Sequence, residues 1–270
     1  MKIEKFAAID IGSNAIRLLI SNVIIKKGFP IKFIKSSIVR VPVRLGQESF
    51  TIGEISSKNK KKIIQTIRAF KHIIKVNEVK SSLAFATSAL REANNSKEII
   101  QEVKKKTKIK IEIIDGRKEA KIISLNNIFE FLNKNRTFIY VDVGGGSTEF
   151  SIILNGKRKK SKSFKIGTVR MINKITSEDV WDQIRIWIKS NIGQQSKIAL
   201  IGSGGNINKI FKIAGVLDSR PLTLIKLNSI YNTLVKMSYE ERIINFDLNP
   251  DRSDVIIPAA EIFLKTLEWS

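Results

Sequence analysis

The chain has 270 residues, 43% hydrophobic and 27% charged, enough to build apolar cores in one large domain or two ordinary ones. It has no cysteine and one histidine, His72, which excludes disulfides, thiolate nucleophiles, cysteine zinc sites and multi-histidine metal sites. Its 48 Lys and Arg against 25 acids give a formal net charge of +23, a field that gathers polyanions, although the Ile-, Lys- and Asn-rich composition of AT-rich coding accounts for most of the lysines.

From the N-terminus, Met1 to Lys5 lead straight into a strand-like run with no cleavage pattern, and no stretch has the roughly 18 apolar residues of a membrane span. A soluble cytoplasmic protein is expected. Residues 6–20 read FAAIDIGSNAIRLLI: an apolar strand ending in Asp10, a turn at Gly12, Ser13 and Asn14, and a second apolar strand interrupted by Arg17. The turn residues can adopt positive φ and expose backbone N–H groups. Strand-like stretches follow at 31–39 and around 41–45. Ile63, Ile64, Ile67, Phe70, Ile73 and Ile74 recur at helical spacing, with His72 read as a structural residue among them. Residues 82–86 predict a buried strand, 97–106 a helix and 109–114 a strand. Ile122, Ile123, Leu125, Ile128, Phe129 and Leu132 predict a helix over 117–132, its start marked by Asp115-Gly116.

Residues 138–153, FIYVDVGGGSTEFSII, then repeat the opening hairpin, with Asp142 in place of Asp10 and Gly144, Gly145, Gly146 and Ser147 forming the turn. The two aspartates are 132 residues apart, close to half the chain. Two similar domains follow from such a repeat, 1–120 and 121–270, each opening with a hairpin whose turn faces a shared cleft. A hairpin at Asn155-Gly156, a helix through 181–188, a strand at 197–201, a helix opened by GSGGN at 202–206 and a helix over 254–267 complete the chain. Strands and helices alternate, so the class is α/β. Lysine runs at 58–62, 104–106 and 157–160 fall at an expected helix start, helix end and hairpin turn.

Three Gly-rich turns after strands could offer the backbone N–H donors that a phosphate chain needs at close range. Asp10, Gly204 and Gly205 join the phosphate-binding set on that basis, although Asp10 could equally pin its own turn. Asp142 and Glu149 lie across a tight turn from each other and could bracket a hard cation, because Mg²⁺ is held by one or two carboxylates plus phosphate oxygens. Glu119 is the best-placed carboxylate for activating water, yet spacing alone favours an ordinary helix-start glutamate. Arg91, at a strand-to-helix transition, could reach a phosphate or sit in a surface ion pair.

In order, the segments DIGSNAIRLLI, ATSALREANNS, IIDGRKEAKII, VDVGGGSTEFSI and IGSGGN resemble the exopolyphosphatase/guanosine pentaphosphatase (Ppx/GppA) family over nearly the whole chain. The resemblance implies two ribonuclease H-like domains of the actin-like ATPase superfold around a cleft. It implies removal of terminal phosphate from polyphosphate or guanosine pentaphosphate, with Mg²⁺ or another divalent cation. Glu119 then matches the base, Asp142 and Glu149 the metal- and water-organising acids, and Gly12, Ser13, Asn14, Gly144, Gly145, Gly146 and Ser147 the phosphate turns. Arg91 matches an arginine facing the phosphates, and Arg17 a position that contacts substrate in some members. Lys118 replaces the first acid of the usual Glu-Glu-Ala, which places a positive charge beside the base. The chain reads as a short form, ending after helix 254–267 where members add a strand and a helix. The expected partner is polyphosphate or a guanosine polyphosphate, with no membrane and no specific nucleic acid, and a homodimer left open. A sugar kinase or chaperone-type ATPase shares the superfold, and a polyanion binder without turnover is a further alternative.

Overall fold

Two mixed sheets, each begun by one copy of the Asp-Gly hairpin, organise the chain. The computed structural model describes all residues except 125–131, 134–135, 193–197 and 217–219. Its two compact units are Met1–Asp115 and Gly116–Ser270.

In the first unit, β1 (Lys2–Ile11) turns at Ser13-Asn14 into β2 (Ala15–Ile25), and β3 (Lys32–Pro42) pairs antiparallel to β2. Helices α1 (Leu45–Thr51) and α2 (Ser57–Val76) precede β4 (Ser81–Ala86), which lies parallel to β1. After α3 (Ser88–Glu92) and α4 (Ser96–Thr107), β5 (Ile111–Ile113) adds parallel to β4. The order is β3-β2-β1-β4-β5. Period-two alternation sends Ile9, Ile11, Ile16, Leu18 and Ile20 to one face, where they meet Ile63, Ile67 and Phe70 of α2 and Ile99 and Val103 of α4. Burying each such side chain is worth about 1.5–3 kcal/mol.

Three expectations change here. Residues 41–45 are not a second strand: β3 runs to Pro42, and Arg44, at φ 55°, turns the chain into α1. The strand at 82–86 is buried on one side only. Leu83 is 62% exposed because it stands on the other face, in one cross-strand row with Ala8, Leu19 and Ile38. His72 is exposed, since the apolar stripe of α2 faces away from it.

The second unit opens with α5 (Gly116–Ser124), while Leu125, Ile128 and Phe129 of the expected longer helix lie outside the described residues. Strands β6 (Thr137–Val143), β7 (Thr148–Leu154) and β8 (Lys157–Phe164) form an antiparallel meander. The β7–β8 turn is the expected one, with Asn155 at φ 53° and Gly156 at φ 70°. Next come α6 (Thr168–Ile172) and α7 (Val180–Ile192), then β9 (Ile198–Ser203), parallel to β6. Five helices follow: α8 (Gly205–Ala214), α9 (Leu224–Lys236), α10 (Tyr239–Phe246), α11 (Pro250–Ser253) and α12 (Ile256–Glu268). The order β8-β7-β6-β9 repeats β3-β2-β1-β4 element for element. Both sheets thus have the antiparallel-then-parallel order of the ribonuclease H-like fold. The larger core packs Ile139, Val141, Phe150 and Ile152 against α7, α8, α9 and α12.

Candidate active site

The face of the second sheet opposite that core carries the carboxylates. Phe138, Tyr140 and Asp142 alternate onto it from β6, and Ile153, Ser151 and Glu149 stand opposite them on β7. Phe138, Tyr140 and Ile153 make a small apolar cluster, and toward the turn the face becomes polar. Asp142 and Glu149 are direct register partners across the hairpin. Glu149 is only 4% exposed, and its Oε1 accepts hydrogen bonds from Ser147 Oγ at 2.6 Å and Ser163 Oγ at 2.9 Å. Burial, then the Asp142 charge, push the Tyr140 phenol above its usual range, with Glu149 adding to them against the hydrogen bond with Ser203. The shift reflects burial first and the two carboxylates on this face after it.

The glycine turn between these strands is held from one side. Gly144 N–H donates to Ser147 C=O at 2.9 Å, closing a two-residue loop at Gly145-Gly146. Neither Gly12 nor Gly144 needs left-handed φ, contrary to the expectation for these turns. Gly144 is required for closeness, because a Cβ there would lie 2.8 Å from the Ser147 oxygen. The start of α6 grips the loop: Thr168 N–H donates to Gly144 C=O at 3.0 Å and Val169 N–H to Gly145 C=O at 2.9 Å. The buried Arg170 donates from Nε to Gly146 C=O at 2.6 Å. In a planar trans peptide the N–H points opposite to the C=O. With the carbonyls of 144, 145 and 146 all turned toward α6, the N–H groups of Gly145, Gly146 and Ser147 face the other way. Successive amides aimed to one side form an anion-binding concavity.

Helix α5 packs beside this face, its first residue against β8: a Cβ on Gly116 would lie 2.8 Å from Ser163 Cβ. Glu119, in the first turn of α5, is half-buried with Oε2 shielded from solvent, and Lys118 beside it is exposed. On the far side of β6, Ser203 pairs with Asp142, and Gly204, at φ 100°, sits where a Cβ would come within 3.6 Å of Asp142 Oδ1. Gly205 has a packing reason of its own, since the Arg252 guanidinium lies where its Cβ would be, 2.4 Å from Nη1.

The first unit builds its turn the same way. Gly12 N–H donates to Ala15 C=O at 3.1 Å, closing a two-residue loop at Ser13-Asn14. The β3–α1 connection grips it: Gly46 N–H donates to Ser13 C=O at 2.8 Å, and the amides of Val43 and Arg44 to Asn14 C=O at 3.2 and 3.0 Å. The buried Ser13 hydroxyl is 3.2 Å from that of Ser88. Asp10 and Arg17 are register partners across the hairpin and form an exposed ion pair at 3.4 Å. Arg91 Nη1 donates to Ile114 C=O at 2.8 Å, tying α3 to the end of β5.

A sequence profile of the Ppx/GppA phosphatase family matches residues 25–269. The chain belongs to that family. A bifunctional 3-dehydroquinate synthase/phosphatase of Fusobacterium nucleatum is 31% identical over 97% of this chain, which spans only 43% of that protein. Exopolyphosphatase 1 of Mycobacterium leprae is 23% identical, with 95% of this chain and 80% of that one covered. Among solved structures, the Aquifex aeolicus Ppx/GppA family member is 26% identical with a TM-score of 0.73, covering 99% of this chain and 91% of that one. An exopolyphosphatase from Cytophaga hutchinsonii, 23% identical with a TM-score of 0.83 over 98% of this chain and 91% of its own, shares the fold.

In this Ppx/GppA chain the donor set suits a hard, partly hydrated cation. Two opposed carboxylates are a donor set of the kind Mg²⁺ takes, completed by water and phosphate oxygens. An all-protein cage is not on offer, since no cluster of three or more Asp, Glu, His or Cys occurs among the described residues. Sequence reasoning missed Ser163, Gly167 and Arg170, which act only through residues it had found. The signal for them is the segment from Ser163 to Arg170, which places a serine near the end of the lysine-rich strand and a glycine and an arginine just after it.

Proposed function

We propose that this chain is a Mg²⁺-assisted exopolyphosphatase, cytoplasmic, that releases the terminal phosphate of inorganic polyphosphate. The observation that carries the reading is the β6–β7 hairpin, where two opposed carboxylates flank a loop whose amides are turned outward together. Membership of a phosphatase family supports hydrolysis, and the names of the M. leprae and F. nucleatum relatives support phosphate release.

In this mechanism the N–H groups of Gly145, Gly146 and Ser147 receive oxygens of the terminal phosphoryl group. Gly204 and Gly205 stay in the reading as further phosphate contacts. Glu119 takes a proton from water as its oxygen bonds to phosphorus. The bridging P–O bond on the opposite side breaks, and the shortened chain leaves with the electron pair. Mg²⁺ held by Asp142 and Glu149 would neutralise charge on the phosphoryl oxygens. Positioning and charge stabilisation supply most of the rate, as in other phosphoryl transfers.

The test is phosphate release from long-chain polyphosphate with Mg²⁺, wild type against Glu119→Gln. Release is expected from the wild type, and removing the base should slow it by about 10²–10⁴-fold. Guanosine pentaphosphate run in parallel separates the two substrates. No release from either would overturn the hydrolase reading and leave a polyanion-binding protein.

A further inference from the structure

Glu149 stands out as a buried carboxylate with one oxygen fixed by two hydroxyls. Oε1 accepts from both Ser147 Oγ, at 2.6 Å, and Ser163 Oγ, at 2.9 Å. An oxygen of this kind has two lone pairs, and two hydroxyl donors occupy them. Ser147 belongs to the glycine turn itself. Ser163 comes from β8, where it is the register partner of Glu149, and it is exposed while Glu149 is buried.

Ser163 also touches a second element. Gly116, the first residue of α5, has room for no side chain: a Cβ would meet Ser163 Cβ at 2.8 Å and Oγ at 3.0 Å. The serine that fixes the Glu149 carboxylate is thus the one against which the Glu119-bearing helix is seated. A bulky side chain at 163 would push α5 away, and one without a hydroxyl would release Oε1.

We propose that Ser163 is a positioning residue for cation binding: its hydroxyl, bonded to Oε1, fixes the orientation in which the Glu149 carboxylate meets the metal. This rests on the reading of Asp142 and Glu149 as the cation site. Removing the hydroxyl lets the carboxylate rotate, which loosens a site that has few protein ligands. Groups that orient a metal ligand typically change metal affinity by 10–100-fold when removed.

The experiment is Mn²⁺ binding to the full chain without substrate, followed by electron paramagnetic resonance, for wild type, Ser163→Ala, Ser163→Thr and Glu149→Gln. Circular dichroism verifies folding, and the exposed position of Ser163 favours an intact Ser163→Ala protein. Binding about tenfold weaker in Ser163→Ala, returning toward wild type in Ser163→Thr, is expected. Adding Ser163→Ala to Glu149→Gln should change nothing further, because the serine acts through that carboxylate. Wild-type Mn²⁺ affinity in Ser163→Ala, with binding lost in Glu149→Gln, would overturn the positioning role and leave the cation site standing. Unaltered binding in Glu149→Gln would overturn the cation site and this role with it.

Discussion

At the scale of single residues, the two hairpin loops depend on what lies behind them. Arg170 is 6% exposed and gives a charged donor to Gly146 C=O at 2.6 Å. Arg170→Ala should leave that carbonyl without its donor, at about 1–3 kcal/mol, and let the loop amides turn. Phosphate release should fall together with the denaturation midpoint, whereas Glu119→Gln should lower release alone. Glu48 offers a different reading through pH. Burial raises its carboxyl, but hydrogen bonds from the Ser56 amide, the Ser56 hydroxyl and Asn59 outweigh that, so its pKa lies below the ordinary 4.5. Its stabilisation is therefore complete at neutral pH and fades as the pH falls from 4.5 through the lowered folded value. Urea midpoints measured from neutral pH downward should drop more steeply for the wild type than for Glu48→Gln.

At the scale of elements, the contacts that shape the loop come from short helices more than from strands. Gly167, just before α6, presses on the glycine turn so closely that a Cβ would lie 2.6 Å from the Gly145 carbonyl carbon and oxygen. Its φ of −166° is extended and open to any residue, so the requirement for glycine is one of space. Gly167→Ala should displace the loop and lower phosphate release by at least about tenfold, as small misplacements of reacting groups do. An unchanged rate would show that the loop is not where the phosphate sits. The longer helices are specified more locally. Ser56 caps α2, accepting from Asn59 N–H, and Ser238 with Glu241 forms a capping box on α10. Ser56→Ala should lower stability by about 1 kcal/mol in a denaturant titration.

At the scale of the whole molecule, the charge of +23 governs encounter with a polyanion. The lysine runs fall at the start of α2, the end of α4 and the start of β8. Exposed charges of this kind act through a field that salt screens. kcat/KM on polyphosphate should therefore fall by about tenfold or more between 50 and 200 mM salt, with kcat changing less. A salt-independent kcat/KM would mean that a few buried contacts alone capture the chain. Among the described residues, no helix is long and apolar enough to cross a membrane.

The periodic patterns were legible because they are local: alternation set β1, β2, β6 and β7, and the Ile63-to-Phe70 stripe set α2. The internal repeat announced the shared strand order, and the motifs announced the family. Asp142 and Glu149 could be paired in advance, since a tight hairpin fixes which residues oppose each other. Other features needed contacts distant in sequence. α1 replaced an expected strand because Arg44 takes up a left-handed turn to reach Asn14, and Leu83 is exposed because it stands on the face opposite the core formed with α2 and α4. The glycines of both turns looked like residues chosen for unusual dihedrals. Gly144 proved necessary for close approach instead, because a Cβ there would lie 2.8 Å from the Ser147 oxygen. By itself the sequence determined the α/β class, the repeat and the carboxylate pair, because periodicity, recurrence of a motif and the register of a tight hairpin can all be read along the chain. Only the tertiary structure decided that α6 turns the loop amides outward and that Ser163 fixes Glu149, because both depend on which groups meet when separate segments pack.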